Sequence, residues 1–176
     1  MVVVVNVVGI NVRGGMLDVE EETSDLFMDT NLSGVYFMTQ AVAREMYKRK
    51  SGSIVNTGSH IDTGMLGGCS VYGAAKSGVV ALTRAMAVEF AQYGIRANAI
   101  APGFLVSNQN RNLLFNADGS LTARSAKILN GTPTGRFVEA EELLGAVLFL
   151  CDDRAASAIT GVVLPIDAGF SAYSGV

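Results

Sequence analysis

Residues 59–76 read SHIDTGMLGGCSVYGAAK, and the order of residue types in this stretch decides how the rest of the chain is read. The hydroxyl of Ser59 follows the run Ser53-Ile54-Val55-Asn56, a glycine-rich loop comes next, and Tyr72 and Lys76 stand four apart at the start of a helical pattern. Residues four apart share a helix face, so the spacing lets the Lys76 ammonium lie beside the Tyr72 phenol and favour its ionised form. A free phenol titrates near pH 10, too high to exchange a proton readily at neutral pH, and a nearby cation lowers that value. Tyr72 is therefore a candidate acid–base group, with Ser59 able to hydrogen-bond the same substrate oxygen.

Outward from that stretch the chain alternates between strand and helix patterns. Val2 to Val8 is β-branched on both faces, as expected of a parallel strand covered by helices on both sides, and Gly9 ends it. Residues 14–23, glycine-rich and then acidic, predict a surface loop. After Ser24, a candidate cap, Val35, Met38, Val42 and Met46 fall at helical spacing, and the helix runs to about Lys50. Ser51-Gly52 breaks it, and Ser53 to Thr57 is the next strand. Ser70 is a candidate cap for a helix with the apolar stripe Val79, Leu82, Met86 and Phe90, and Gly94 stops it. Ile95 to Ala101 is a third strand, ending at Pro102-Gly103. Residues 104–133 are polar and irregular with short helical patches, the expected substrate lid. Glu139, Glu141 and Glu142 suit a helix N-terminus, Leu143, Val147 and Leu150 form its core stripe, and Gly161 to Ile166 is the last strand. The pattern is that of an α/β fold with a doubly wound parallel sheet, in which ligands bind at the carboxyl ends of the strands. Ser59, Tyr72 and Pro102-Gly103 all follow strand ends, which gathers them on one rim.

Composition narrows the function classes. The 176 residues fit one domain, 1–176, and 49% hydrophobic with 16% charged residues argues against disorder. A net charge of −3 without a basic block argues against nucleic acid as a partner. The opening apolar run is far shorter than a membrane span and lacks a basic leader region. Cys69 and Cys151 provide neither metal spacing nor a disulfide framework, which suits the cytoplasm, and His60 is the only histidine, so a multi-histidine metal site is excluded. His60 beside Ser59, with Asp62 nearby, invites a serine-hydrolase reading. The sequence Thr57-Gly58-Ser59-His60 is not the Gly-x-Ser-x-Gly elbow, and neighbouring side chains in extended chain point to opposite faces.

Asn31-Leu32-Ser33-Gly34, then Ser59 thirteen residues before Tyr72, then Lys76 and Pro102-Gly103, in that order, resemble the short-chain dehydrogenase/reductase family, with a likeness running from Val2 to Asp167. The resemblance implies a Rossmann-like fold and an oxidoreductase that interconverts a ketone and a secondary alcohol with NAD or NADP. It implies Tyr72 as the acid–base, Lys76 as the lysine that lowers its pKa and binds the nicotinamide ribose, and Ser59 as the serine that orients the carbonyl. Asn31 matches the asparagine that keeps a helix bent around a water of the proton relay. Pro102 and Gly103 match the turn under the nicotinamide, and Ser107 stands where the family usually has a threonine bonding the carboxamide.

Two departures stand out. The family's Asn-Asn-Ala-Gly appears as Asn6-Val7-Val8-Gly9, so Val7 replaces a polar residue that braces the sheet. The family's first three strands, with the glycine-rich pyrophosphate loop, are absent before Val2. The expectation is a Rossmann-like sheet truncated at its N-terminus, with Val2 to Val8 as an unguarded edge that pairs only with the Ser53 strand. Such a chain is marginally stable, self-associates as a dimer or tetramer, and binds a dinucleotide weakly. The competing reading is a truncated, non-catalytic relative that serves as an oligomerising scaffold.

The lid bears on the substrate. Ser107-Asn108-Gln109-Asn110-Arg111-Asn112 is dense in hydrogen-bonding groups; Asn108 and Arg111 are candidate substrate contacts, with Arg111 able to grip a carboxylate through two parallel bonds, and Arg124, Lys127 and Arg136 lie farther along. The alternative is a solvated loop. The lid, residues 118–122 and the tail at 169–175 resemble the D-mannonate oxidoreductases within that family, which implies a sugar acid of the D-fructuronate/D-mannonate type.

Overall fold

The computed structural model describes residues 1–11, 14–60, 66–108 and 110–175. Among these, strands β1 (Val2–Asn6), β2 (Gly52–Thr57), β3 (Ile95–Pro102) and β4 (Val163–Ile166) form one sheet in the order β1-β2-β3-β4. Every pairing is parallel, with Val2 opposite Gly52, Gly52 opposite Ile95, and Ala99 opposite Val163. The connections carry helices α1 (Glu21–Met28), α2 (Gly34–Arg49), α3 (Ser70–Phe90), α4 (Arg111–Leu114), α5 (Ala123–Asn130) and α6 (Glu142–Cys151).

The sheet is covered on both faces, because alternate residues of the central strands point to opposite sides. Ile54, Ile95 and Ala97 pack with Met46 of α2 and Met86 of α3. Val55 and Ile100 pack on the other side with Leu143, Val147 and Leu150 of α6. β1 departs from the two-sided burial predicted for it. Val2 and Val4 join the α2/α3 core, but Val3 and Val5 on the other face are 40% and 37% exposed. The cause is geometric: α6 packs over β2, β3 and β4, and among the described residues β1 pairs with β2 alone. The ladder also ends at Asn6 rather than Val8, and Val7 and Val8 are exposed.

Two further local differences have physical causes. The helix starts at Glu21, not after Ser24, with Glu21 and Glu22 in a first turn whose positive dipole end favours acids. Within α2, Val35 and Met46 are buried as the stripe predicts, but Met38 is exposed and Thr39 takes the inward position. Thr39 is drawn in by a buried polar network. Asn6 Nδ2 donates to Thr39 Oγ1 at 2.9 Å and to Asn56 Oδ1 at 2.8 Å, and Asn56 Nδ2 donates to Thr83 Oγ1 at 2.9 Å. This network ties β1 and β2 to α2 and α3, so Asn6 supplies a brace across the sheet beside the valine at position 7.

Candidate active site

The strands' carboxyl ends open into a cleft of about 600 Å³, within the roughly 300–1,000 Å³ usual for small-molecule sites. Ser59, Tyr72, Lys76, Pro102, Gly103 and Ser107 all line it. Ser59 arrives just past the end of β2, Tyr72 and Lys76 on the first turns of α3, and Pro102-Gly103 at the end of β3. The close packing of that last turn demands glycine. Gly103 N–H donates to the Ile166 carbonyl at 2.9 Å, and a Cβ at position 103 would lie 2.6 Å from Asp167 Cα.

Tyr72 and Lys76 share the cleft, but their electrostatics differ from the arrangement their spacing predicts. Burial pushes the Tyr72 phenol up from its ordinary pKa; a hydrogen bond with the Ser59 side chain pulls it down, and Cys69 adds a smaller upward push. Lys76 is buried, and its ammonium donates to the Thr57 carbonyl at 2.9 Å and, more weakly, to the Val8 carbonyl at 3.5 Å. Desolvation pushes its pKa from the usual 10.5 down to about 8. The net shift of Tyr72 is thus upward, where the spacing with Lys76 predicts a downward one: burial of the phenol is the largest influence, and the ammonium donates to carbonyls just beyond β1 and at the end of β2.

Asn31 is fully buried at the centre of a π-helical segment, Asp29–Ser33, that separates α1 from α2. Its side chain replaces a strand partner for the loop after β1: Oδ1 accepts from Ile10 N–H at 2.9 Å, and Nδ2 donates to the Ile10 carbonyl at 3.0 Å. Such bulges inside helices occur often at functional sites. Asn31 reaches the cleft's edge at Gly9, where a Cβ would stand 3.2 Å from Asn31 Oδ1 and 3.3 Å from Lys76 Nζ.

The remaining candidates lie in the segment 104–133 and just after it. Ser107 lines the cleft and is held there by Asn110, whose Oδ1 accepts from Ser107 N–H at 2.8 Å while its Nδ2 donates to the Leu105 carbonyl at 2.7 Å. Asn108 and Arg111 are exposed and are not among the cleft-lining residues. The Arg111 guanidinium instead sits 5.2 Å from the Phe115 ring centroid. Arg136 is engaged by Glu142 through two bonds of 2.7 Å, and that pairing holds the Glu142 carboxyl down to about 2. Arg124 lines the cleft. Asp62 and Gln109 lie outside the described residues.

Sequence reasoning missed three contributors: Gly9, Asn110 and the aromatic group around His60. His60 Nδ1 lies 3.1 Å from the Pro102 carbonyl, and its ring packs 4.4 Å from Phe104 and 5.2 Å from Phe170. These contacts set the His60 ring among Pro102, Phe104 and Phe170 at the wall of the cleft. Asn110 stands just before α4 but makes no side-chain capping bond; its side chain turns back to Ser107 and Leu105. The cleft also fits the nicotinamide end of a dinucleotide: it has close-approach glycines at 9 and 103, a buried lysine, and a Thr57 hydroxyl buried without a hydrogen-bond partner among the described residues. Among the described residues no cluster of side chains could hold a metal ion, and no helix is long and apolar enough to cross a membrane.

Comparison with known proteins places this geometry. The family model described as enoyl-(acyl carrier protein) reductase matches residues 1–171. An uncharacterised oxidoreductase of Haemophilus influenzae is 46% identical over 166 residues, covering 88% of this chain and 58% of its own. The uncharacterised oxidoreductase UxuB of Bacillus subtilis is 42% identical, covering 90% of this chain and 57% of its own. The chain therefore spans a little under three fifths of the length of these curated relatives. Among solved structures, a provisionally named D-mannonate oxidoreductase of Haemophilus influenzae with bound NAD superposes with a TM-score of 0.89 at 40% identity, covering 99% of this chain and 68% of that one. A gluconate 5-dehydrogenase from Burkholderia cenocepacia in complex with NADP and tartrate gives 0.90 at 34% identity, covering 98% and 65%. With the matched model extending over nearly all of its residues and a Ser59, Tyr72 and Lys76 set at the strand ends, the chain belongs to the short-chain dehydrogenase/reductase family.

Proposed function

We propose that the cleft serves reversible conversion of a ketone to a secondary alcohol with NAD or NADP, on a sugar acid of the D-fructuronate/D-mannonate type. The observation that carries this reading is the hydrogen-bonded Ser59–Tyr72 pair in one cleft with buried Lys76. The substrate class draws support from the relatives named for D-mannonate and gluconate chemistry. Lys76, Gly9, Pro102, Gly103 and Ser107 are the residues that would hold the nicotinamide and its ribose. A bound nicotinamide supplies the hydride chemistry.

The protein's own residues handle the proton and the alignment. An ordinary phenol is already protonated at neutral pH and burial pushes Tyr72 further the same way, so in reduction the phenol is a loaded acid that donates to the substrate oxygen. Ser59 hydrogen-bonds both that oxygen and Tyr72, which orients the carbonyl and eases the phenol's loss of its proton. Lys76, with a pKa of about 8, remains mostly charged at pH 7 and adds positive potential where negative charge develops. Asn31 fixes the backbone of Ile10 and so the wall at Gly9.

The test is label transfer: D-fructuronate incubated with NADH or NADPH deuterated at the transferring position gives mannonate carrying one deuterium at the former carbonyl carbon. Unlabelled product, or no product with either cofactor, contradicts the proposal. A scaffold reading has one observation in its favour, the exposed valine face of β1, and it is compatible with a homo-oligomer. It predicts assembly without label transfer.

A further inference from the structure

Two lid arginines compete for the substrate carboxylate. Arg111 is exposed and packs on Phe115. Arg124 stands in the first turn of α5, half-buried, and lines both the cleft that holds Ser59 and Tyr72 and an adjoining cavity of about 430 Å³. Lys127 lines that cavity too, one turn farther along the same helix, and Phe104 and Phe170 contribute its aromatic wall. Arg124 is thus the cation common to the proton-transfer groups and the chamber beside them.

The local sequence of α5 is poor for stability and good for anion binding. The first turn of a helix has a positive dipole end that prefers acids; α5 has no acid there and has Arg124 instead. Such breaks of a local rule concentrate at functional sites. The helix is nonetheless well anchored. Thr122 caps it by accepting from Ser125 N–H at 3.2 Å and donates its hydroxyl to the Leu113 carbonyl at 2.9 Å, while buried Ser125 donates to the Leu114 carbonyl. Ile128 is buried beneath it. A rigid platform therefore presents two cations to one cavity, a geometry that stabilises an anionic group by charge-assisted bonds.

We propose that Arg124, supported by Lys127, binds the substrate carboxylate, and that Arg111 does not. This rests on the sugar-acid reading above. The aromatic wall suits the apolar C–H face of a hydroxylated carbon skeleton, whose other end extends toward Ser59 and Tyr72.

The experiment is a binding titration with D-mannonate and with D-mannitol, its uncharged counterpart, on wild type, Arg124→Leu, Arg124→Lys and Arg111→Leu. Wild type binds the acid in preference to the polyol. Arg124→Leu weakens acid binding about 10- to 100-fold, as loss of a charged hydrogen bond does, while polyol binding, which reports an intact cavity, is unchanged. Arg124→Lys retains part of the preference, and Arg111→Leu retains all of it. A preference that survives Arg124→Leu, one that disappears in Arg111→Leu, or none in wild type overturns the assignment. Acid binding that depends on Arg124 in a protein that transfers no label upholds the carboxylate site and removes the reaction. Label transfer without any acid preference does the reverse.

Discussion

Replacing Lys76 by methionine tests how strongly the fold desolvates a charge. The folded pKa of Lys76 is about 8 against the usual 10.5, because the ammonium is buried. Between these values the unfolded chain binds a proton that the folded chain does not, so unfolding free energy rises with pH across this window. Below about pH 8 the lysine is charged in both states and its full desolvation cost is present. The cost fades as pH climbs toward 10.5. Integrating the two titrations from pH 7 to pH 10 gives a relative gain for wild type of about 2.5 kcal/mol. The variant also loses the bond to the Thr57 carbonyl, a pH-independent cost of about 1–3 kcal/mol, so the slope decides and the absolute stability does not. Tyr72, raised by burial, acts in the opposite direction only above about pH 10 and equally in both proteins. Denaturant titrations of both at pH 7, 8, 9 and 10 provide the assay. Curves that stay parallel across that range would refute the desolvated-lysine account.

Gly103→Ala places a methyl against the Asp167 backbone, 2.6 Å from its Cα, and backbone cannot swing aside. A loss of about 1–3 kcal/mol is expected, read by thermal or chemical denaturation, and unchanged stability contradicts the close approach. Val3→Lys with Val5→Lys adds charge to the exposed face of β1, and charged side chains guard an edge. If the protein self-associates through this strand, sedimentation shows a shift toward monomer, and an unchanged distribution moves the contact elsewhere.

What was legible in the sequence is what short-range periodicity encodes. The stripes Leu82, Met86, Phe90 and Leu143, Val147, Leu150 face the two cores as read, Val79 is buried, and strand ends gather Ser59, Tyr72 and Gly103 at one rim. What was illegible depends on distant partners. The bend at Asn31 entered only through the family resemblance, because the Ile10 it binds lies 21 residues away, and the inward turn of Thr39 in place of Met38 answers to Asn6, 33 residues away. The four-residue spacing placed Tyr72 and Lys76 in one cleft but carried no information about the Thr57 and Val8 carbonyls that take the ammonium. Arg111 and Arg124 look equivalent in a polar lid; only the packing of α4 and α5 shows which one lines the cleft.

The most direct test of the central claim, that Tyr72 carries the proton, is the rate of fructuronate reduction by wild type and Tyr72→Phe under identical cofactor and substrate concentrations. The phenylalanine keeps the ring's packing and removes only the hydroxyl bonded to Ser59. The account predicts a rate lower by about 10²–10⁴-fold, the usual contribution of general acid–base catalysis, in a variant whose circular dichroism matches wild type. A folded Tyr72→Phe protein that turns over within a few-fold of wild type would contradict it.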